Sequence, residues 1–158
     1  QTYYPLVYTE FFSATRKFDG RRYGKKIEDV AGPEVLRRIM GGSIISQAEY
    51  EGTYYRKALQ VKRLLSEEIY DAFKGVDVII SPTVPRLPHK IGDTISVEEM
   101  YQYDALTIPA NLAGICAGSV PCGKAKNIPV GLQVMAPAFQ ETTLFRALRV
   151  IESYVQDK

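Results

Sequence analysis

The sequence predicts an α/β protein, and three observations carry that prediction. Apolar residues recur at steps of three and four over several long stretches. A short β-branched run, Val76-Asp77-Val78-Ile79-Ile80, interrupts them. Two further apolar runs, Ser119-Val120-Pro121 and Val130-Gly131-Leu132-Gln133-Val134, flank the polar turn Lys124 to Asn127. With 158 residues, 46% apolar and 24% charged, the chain has the size and composition of one globular domain with a single core. No stretch approaches the roughly 18 apolar residues of a membrane span. A net charge of +2 is too small to mark a nucleic-acid-binding surface by itself. Cys116 and Cys122 are too few for a disulfide framework and read as small apolar fillers, which suits a reducing, cytoplasmic compartment.

Taken in order, Pro5 fits the first turn of a helix, where its missing N–H would have had no partner. Leu6, Val7, Phe11 and Ala14 continue that helix until Asp19-Gly20. Arg21 to Gly32 is basic and punctuated by glycine, so a surface loop is expected. Its Arg21, Arg22, Lys25 and Lys26 read as solvated charges, with contact to a nucleic acid or a partner subunit as the alternative. Pro33-Glu34 restarts a helix, and Gly41-Gly42 within it predicts a kink or a close backbone contact. The clearest helix spans Gln47 to Lys74, with Tyr54, Ala58, Val61, Leu65, Ile69 and Ala72 on one stripe and Gly75 beyond its end.

Val76 to Ile80 then reads as a buried strand, and Pro82, Pro85 and Pro88 impose an irregular loop. A short helix is expected from Val97 to Tyr103, then the two strands, then an amphipathic helix from Glu141 to Tyr154. Three strands make a small sheet, and buried strands need neighbours on both sides. The sheet is therefore expected to be incomplete. The chain also opens on Gln1-Thr2-Tyr3-Tyr4-Pro5, without an initiator methionine or a leader, directly inside a helical pattern. A single fragment, 1–158, cut from inside a longer protein is the expectation.

No self-sufficient catalytic site is legible. The one histidine, His89, sits in the proline loop with no evident orienting partner, and reads as an exposed loop residue. No Gly-rich phosphate loop is present, and no cluster offers three metal ligands.

A collinear set of motifs does point somewhere. Tyr3-Tyr4 with Glu10 comes first, then Phe18-Asp19-Gly20-Arg21-Arg22-Tyr23-Gly24, Arg37-Arg38-Ile39-Met40-Gly41-Gly42 and Tyr54-Tyr55-Arg56-Lys57-Ala58. Val76-Asp77-Val78-Ile79-Ile80-Ser81-Pro82-Thr83 follows. Then come Asp104-Ala-Leu-Thr-Ile-Pro-Ala-Asn-Leu-Ala-Gly-Ile-Cys-Ala-Gly-Ser-Val-Pro-Cys-Gly123 and Pro129-Val-Gly-Leu-Gln133. The chain resembles, over nearly its whole length, the C-terminal portion of the amidase signature family. Within that family it is similar in particular to the A subunits of the glutamyl-tRNA(Gln)/aspartyl-tRNA(Asn) amidotransferases. The loop between Gly24 and Arg37 is shorter than in bacterial relatives, as expected of an archaeal type.

The resemblance implies a mixed β-sheet flanked by helices, and amide hydrolysis by a Ser-cisSer-Lys triad placed before Gln1. No catalytic residue is therefore expected in this chain, and the isolated fragment is expected to be inactive. It implies glutamine recognition by Arg38 at the α-carboxylate, Asp104 at the α-ammonium and Tyr3 at the pocket wall. The residue types suit the task, since a free amino acid presents both charges and each needs an opposite partner. Without the resemblance, Arg38 would read as a solvated helix charge and Asp104 as a cap. No cofactor or metal is expected in this chain; ATP and Mg²⁺ are expected on the amidotransferase B subunit. That B subunit, with a possible C subunit, is the expected partner, and misacylated tRNA an indirect one. A family member cleaving another small amide, and a non-catalytic binding or scaffold module, remain open alternatives.

Overall fold

A computed structural model describes residues 1–47 and 51–156. The chain divides into two compact units, Gln1–Leu64 and Leu65–Lys158. The first is helical: α1 (Tyr3–Thr15), α2 (Ile27–Val30), α3 (Pro33–Ile45) and the first part of α4 (Thr53–Ala72), which runs across the division. Pro33 opens α3 at its first turn, as its sequence position suggests. The α1 helix begins at Tyr3, two residues before Pro5, and the basic loop contains the short α2 in its second half. Helix α4 starts later than the apolar stripe suggests. Glu51 and Gly52 take positive φ, 47° and 69°, which keeps these two residues out of the right-handed helix that begins at Thr53. The start expected at Gln47 runs into positions 48–50, which lie outside the described residues.

The expected close contact at Gly41-Gly42 is real. A Cβ at Gly42 would fall inside the carbonyl oxygen of Tyr8, and one at Gly41 would sit 2.7 Å from the Tyr8 ring. Helices α1 and α3 pack against each other, and any larger residue at Gly42 would have to displace backbone.

The second unit is built on a three-stranded antiparallel sheet of order β1-β3-β2, with β1 at Ile79–Pro82, β2 at Cys116–Ala125 and β3 at Ile128–Ala136. Both pairings among the described strands are antiparallel. Lys126 and Asn127, both at positive φ (52° and 63°), make the two-residue turn between β2 and β3. Both strands extend well beyond the apolar runs that predicted them.

The β1 strand is displaced from expectation. Pairing begins at Ile79, opposite Met135, and runs through Pro82, opposite Leu132. Its burial alternates, with Ile80 and Pro82 exposed, so it is a half-buried edge strand and not the buried strand expected. Pro82 fits there because an edge strand does not need every N–H.

The helix α7 (Glu141–Gln156) covers one sheet face. Val134, Ala136 and Leu144 form its core, with Val78, Cys116, Ala147, Leu148 and Ile151 packed around them. Leu144, Leu148 and Ile151 are the stripe visible in the sequence. Two short helices, α5 (Val97–Gln102) and α6 (Ile108–Ala113), bridge β1 and β2. Ser96 and Glu99 start α5 with a reciprocal capping box: Glu99 N–H donates to Ser96 Oγ, and Ser96 N–H donates to the Glu99 carboxylate. The second part of α4 joins this unit where Ser66 Oγ donates to the Leu112 carbonyl at 3.3 Å.

Candidate functional site

Arg38 lies on α3, one turn after Glu34. Its Nε donates to Glu34 Oε1 at 2.9 Å, while the Arg37 guanidinium pairs with Glu34 Oε2. The i, i+3 and i, i+4 spacings place both arginines beside one carboxylate. All three side chains are roughly one-third exposed, so this is a half-buried ion cluster and not a pair of freely solvated charges. With Nε engaged by Glu34, Arg38 would have to offer its Nη atoms to any incoming carboxylate.

Tyr3 is the first residue of α1 and is half-buried. Its ring meets Tyr4 edge-on, with centroids 5.4 Å apart and planes at 78°, and Tyr4 continues the stack onto Tyr8 at 5.7 Å. The first unit thus holds two of the three expected glutamine contacts, each supported by a neighbour on its own helix.

Asp104 belongs to the second unit and is half-buried in the turn between α5 and α6. Its backbone is tightly determined. The amide donates to the Tyr101 carbonyl at 3.2 Å, and the carbonyl accepts from Thr107 N–H at 3.1 Å and Ile108 N–H at 2.9 Å. The Thr107 hydroxyl adds a bond of 3.2 Å to the same oxygen. So it is the Asp104 backbone carbonyl that receives the first N–H groups of α6.

Two arrangements beside this turn escaped the sequence reading. The first is the anchorage of the proline loop. The Tyr103 hydroxyl donates to the Leu87 carbonyl at 3.4 Å, accepts from the His89 N–H at 3.3 Å and lies 3.2 Å from His89 Nδ1. His89 therefore has an orienting partner after all, although it remains exposed as expected. Arg86 stacks over the Tyr103 ring at 5.6 Å and pairs with Glu99 at 3.3 Å. The Ser96 N–H, and after it Arg86, hold the Glu99 carboxyl below its ordinary range. The adjoining cleft, lined by Pro82, Pro85, Pro88, Pro129 and Arg86 among others, has no carboxylate in its wall and so lacks half of an amino-acid site.

The second is a polar row on the sheet face bearing Ser81, Gln133 and Ser119, which stand in register across the three strands. Gln133 is only 4% exposed. Its Nε2 donates to the Leu106 carbonyl at 2.9 Å and to Ser81 Oγ at 3.2 Å. Thr83 and Ser119 share a hydroxyl bond of 2.6 Å, which only Gly131 leaves room for, since a Cβ there would lie 2.8 Å from both oxygens. The one sequence signal was a glutamine inside an otherwise apolar run. Cys116 and Cys122 are half-buried free thiols, and Cys116 packs against the core as expected of a filler.

The comparison with known families decides the lineage: the amidase family model matches residues 1–145. The chain belongs to the amidase family. Amidase relatives follow it closely. The A subunit of glutamyl-tRNA(Gln) amidotransferase from Methanocaldococcus jannaschii is 52% identical over 98% of this chain, covering 36% of that protein. The A subunit of the same enzyme from Methanobrevibacter smithii is 56% identical over 96% of this chain and 33% of its own length. This chain therefore spans about a third of the length of these relatives. Among solved structures, the glutamyl-tRNA(Gln) amidotransferase A subunit of Thermotoga maritima superposes with a TM-score of 0.61 at 36% identity, over 89% of this chain and 32% of that one. A crystal structure of an amidase gives a TM-score of 0.77 at 21% identity over 98% of this chain and 35% of its own, a likeness of fold alone. The amidase fold expected from the sequence is thus established, as is the similarity to the A subunits. Among the described residues no helix is long and apolar enough to cross a membrane.

Proposed function

We propose that this chain is the glutamine-recognising C-terminal third of the glutaminase subunit of a cytoplasmic tRNA-dependent amidotransferase. The observation that carries this reading is identity of 52–56%, over nearly the full chain, to proteins named as A subunits of that enzyme. Residue chemistry supports it. Arg38 offers a guanidinium fork to an α-carboxylate, Asp104 an anion to an α-ammonium, and Tyr3 a hydroxyl to the pocket wall. A neutral amide would need neither charge.

In the complete protein, a serine outside this chain attacks the side-chain amide carbon of bound glutamine. The C–N bond breaks and ammonia leaves. Water then hydrolyses the glutamyl ester to glutamate and regenerates the serine. Ammonia passes to the B subunit, assisted by a C subunit where one exists, which holds ATP, Mg²⁺ and the misacylated tRNA. Within this scheme the present chain holds and orients the substrate, a contribution that reaches several kcal/mol when the reacting atoms are well placed.

The test is steady-state glutaminase kinetics on a full-length protein containing this chain. Arg38→Ala is expected to lower kcat/KM for glutamine by about 30-fold, roughly 2 kcal/mol. A wild-type value would remove Arg38 from glutamine recognition.

A further inference from the structure

We infer that Gln133 is a positioning residue for the Asp104 turn, a tether that fixes from the sheet where the ammonium-binding carboxylate stands. The inference rests on the reading that Asp104 receives the α-ammonium of glutamine.

Gln133 is the anomaly of β3. Its chain neighbours Leu132 and Val134 are apolar, and packing alone would be better served by an apolar residue. A buried primary amide is unfavourable unless its donors and acceptor find partners. Here both N–H groups of Nε2 are accounted for by two acceptors, the Leu106 carbonyl and Ser81 Oγ. The orientation of the amide is dictated by chemistry, since a carbonyl oxygen cannot donate and must face N–H, not another oxygen. Ser81, one strand over and in register, holds the same group from the side.

Leu106 lies two residues after Asp104, inside the turn. The backbone bonds of that turn are local: Asp104 to Tyr101, Ala105 to Gln102, Thr107 and Ile108 to Asp104. They define the shape of the turn but not its place on the sheet. The bond from Gln133 spans 27 residues and ties the turn to the central strand. A side chain that sets the position of a turn sets the position of the carboxylate it carries. Displacement of about 1 Å is enough to weaken a charge-assisted contact and degrade substrate alignment.

Glutamine and glutaramate carry the same amide and the same terminal carboxylate, but glutaramate lacks the α-amino group. The experiment compares both substrates in the full-length protein with Gln133→Met, which keeps side-chain length and removes the donors. Gln133→Met is expected to lower kcat/KM for glutamine about tenfold, mostly through KM, and to leave glutaramate turnover unchanged. Asp104→Asn should show the same selectivity with a larger amplitude. Equal losses on both substrates in Gln133→Met would overturn the inference, because a merely structural role cannot sense the α-amino group. If Asp104→Asn is selective and Gln133→Met is not, the tether alone is wrong. If Asp104→Asn is itself unselective, the glutamine reading fails first. Should Gln133→Met not fold, Ser81→Ala removes the lateral partner, together with the local bond from Ser81 Oγ to the Pro82 carbonyl, and leaves the Gln133 donors in place. A selective loss of about two- to threefold then supports the tether, and an unselective one or none overturns it.

Discussion

Arg38 and the Asp104 turn are held in place by different means. Arg38 takes its partner from one turn earlier on its own helix, in a half-buried cluster whose side chains are about one-third exposed. The Asp104 turn takes its anchor from a side chain only 4% exposed, seated in a sheet and 27 residues beyond Leu106. A solvent-screened i, i+4 pair contributes about 0.3–0.5 kcal/mol, whereas loss of a buried hydrogen bond costs about 1–3 kcal/mol. In the proposed glutamine site the Arg38 guanidinium would adjust to the ligand at little cost, while Asp104 would be carried on a turn already tied to the sheet.

The largest expected effect comes from breaking the platform under Arg38. Gly42→Val puts a Cβ inside contact distance of the Tyr8 carbonyl oxygen and should destabilise the helical unit by about 3 kcal/mol, read from urea unfolding followed by circular dichroism. A stability close to wild type would show that α1 and α3 part easily there. The next effect sharpens the contrast itself. Gln133→Met should lower the thermal midpoint measurably, by about 1–2 kcal/mol of stability, while Glu34→Gln should shift it by no more than about 0.5 kcal/mol. Equal shifts would erase the distinction between the two modes of support.

The smallest effect is pH-dependent. Glu99 is held below its ordinary value of 4.5 by the Ser96 N–H first and by Arg86 second. A carboxylate depressed in the folded state binds fewer protons there than in the unfolded chain. Its contribution is therefore complete above 4.5 and fades as pH falls through its lower folded value. Wild type and Glu99→Gln should differ slightly in stability at neutral pH and converge under strong acid. A difference that persists in acid would mean that the carboxylate charge is not what caps α5.

Much of this was legible in the sequence because it is local. The stripe Leu144, Leu148, Ile151 marked α7, Pro33 marked the start of α3, and Gly41-Gly42 marked a kink or close backbone contact, whose partner, Tyr8 of α1, only the structure identifies. The six-residue α6 is too short for a periodic signal, and it went unseen inside a motif. The β1 strand was misplaced because a β-branched run does not state where pairing begins. That was decided by β3, whose Met135 meets Ile79. Glu34 and Arg38 are one turn apart, so their contact follows from spacing. The bond from Gln133 to Leu106 does not, since no local rule connects residues from a strand and a distant turn. The Tyr103 anchorage of His89 was hidden for the same reason.

The most direct measurement is a crystal structure of the full-length protein with glutamine bound and its nucleophile disabled. The account predicts the Nη atoms of Arg38 within hydrogen-bond reach of the α-carboxylate and the Asp104 carboxylate on the α-ammonium, with Gln133 still bonded to Leu106. Glutamine held by other residues, with Arg38 still committed to Glu34 alone, would contradict it.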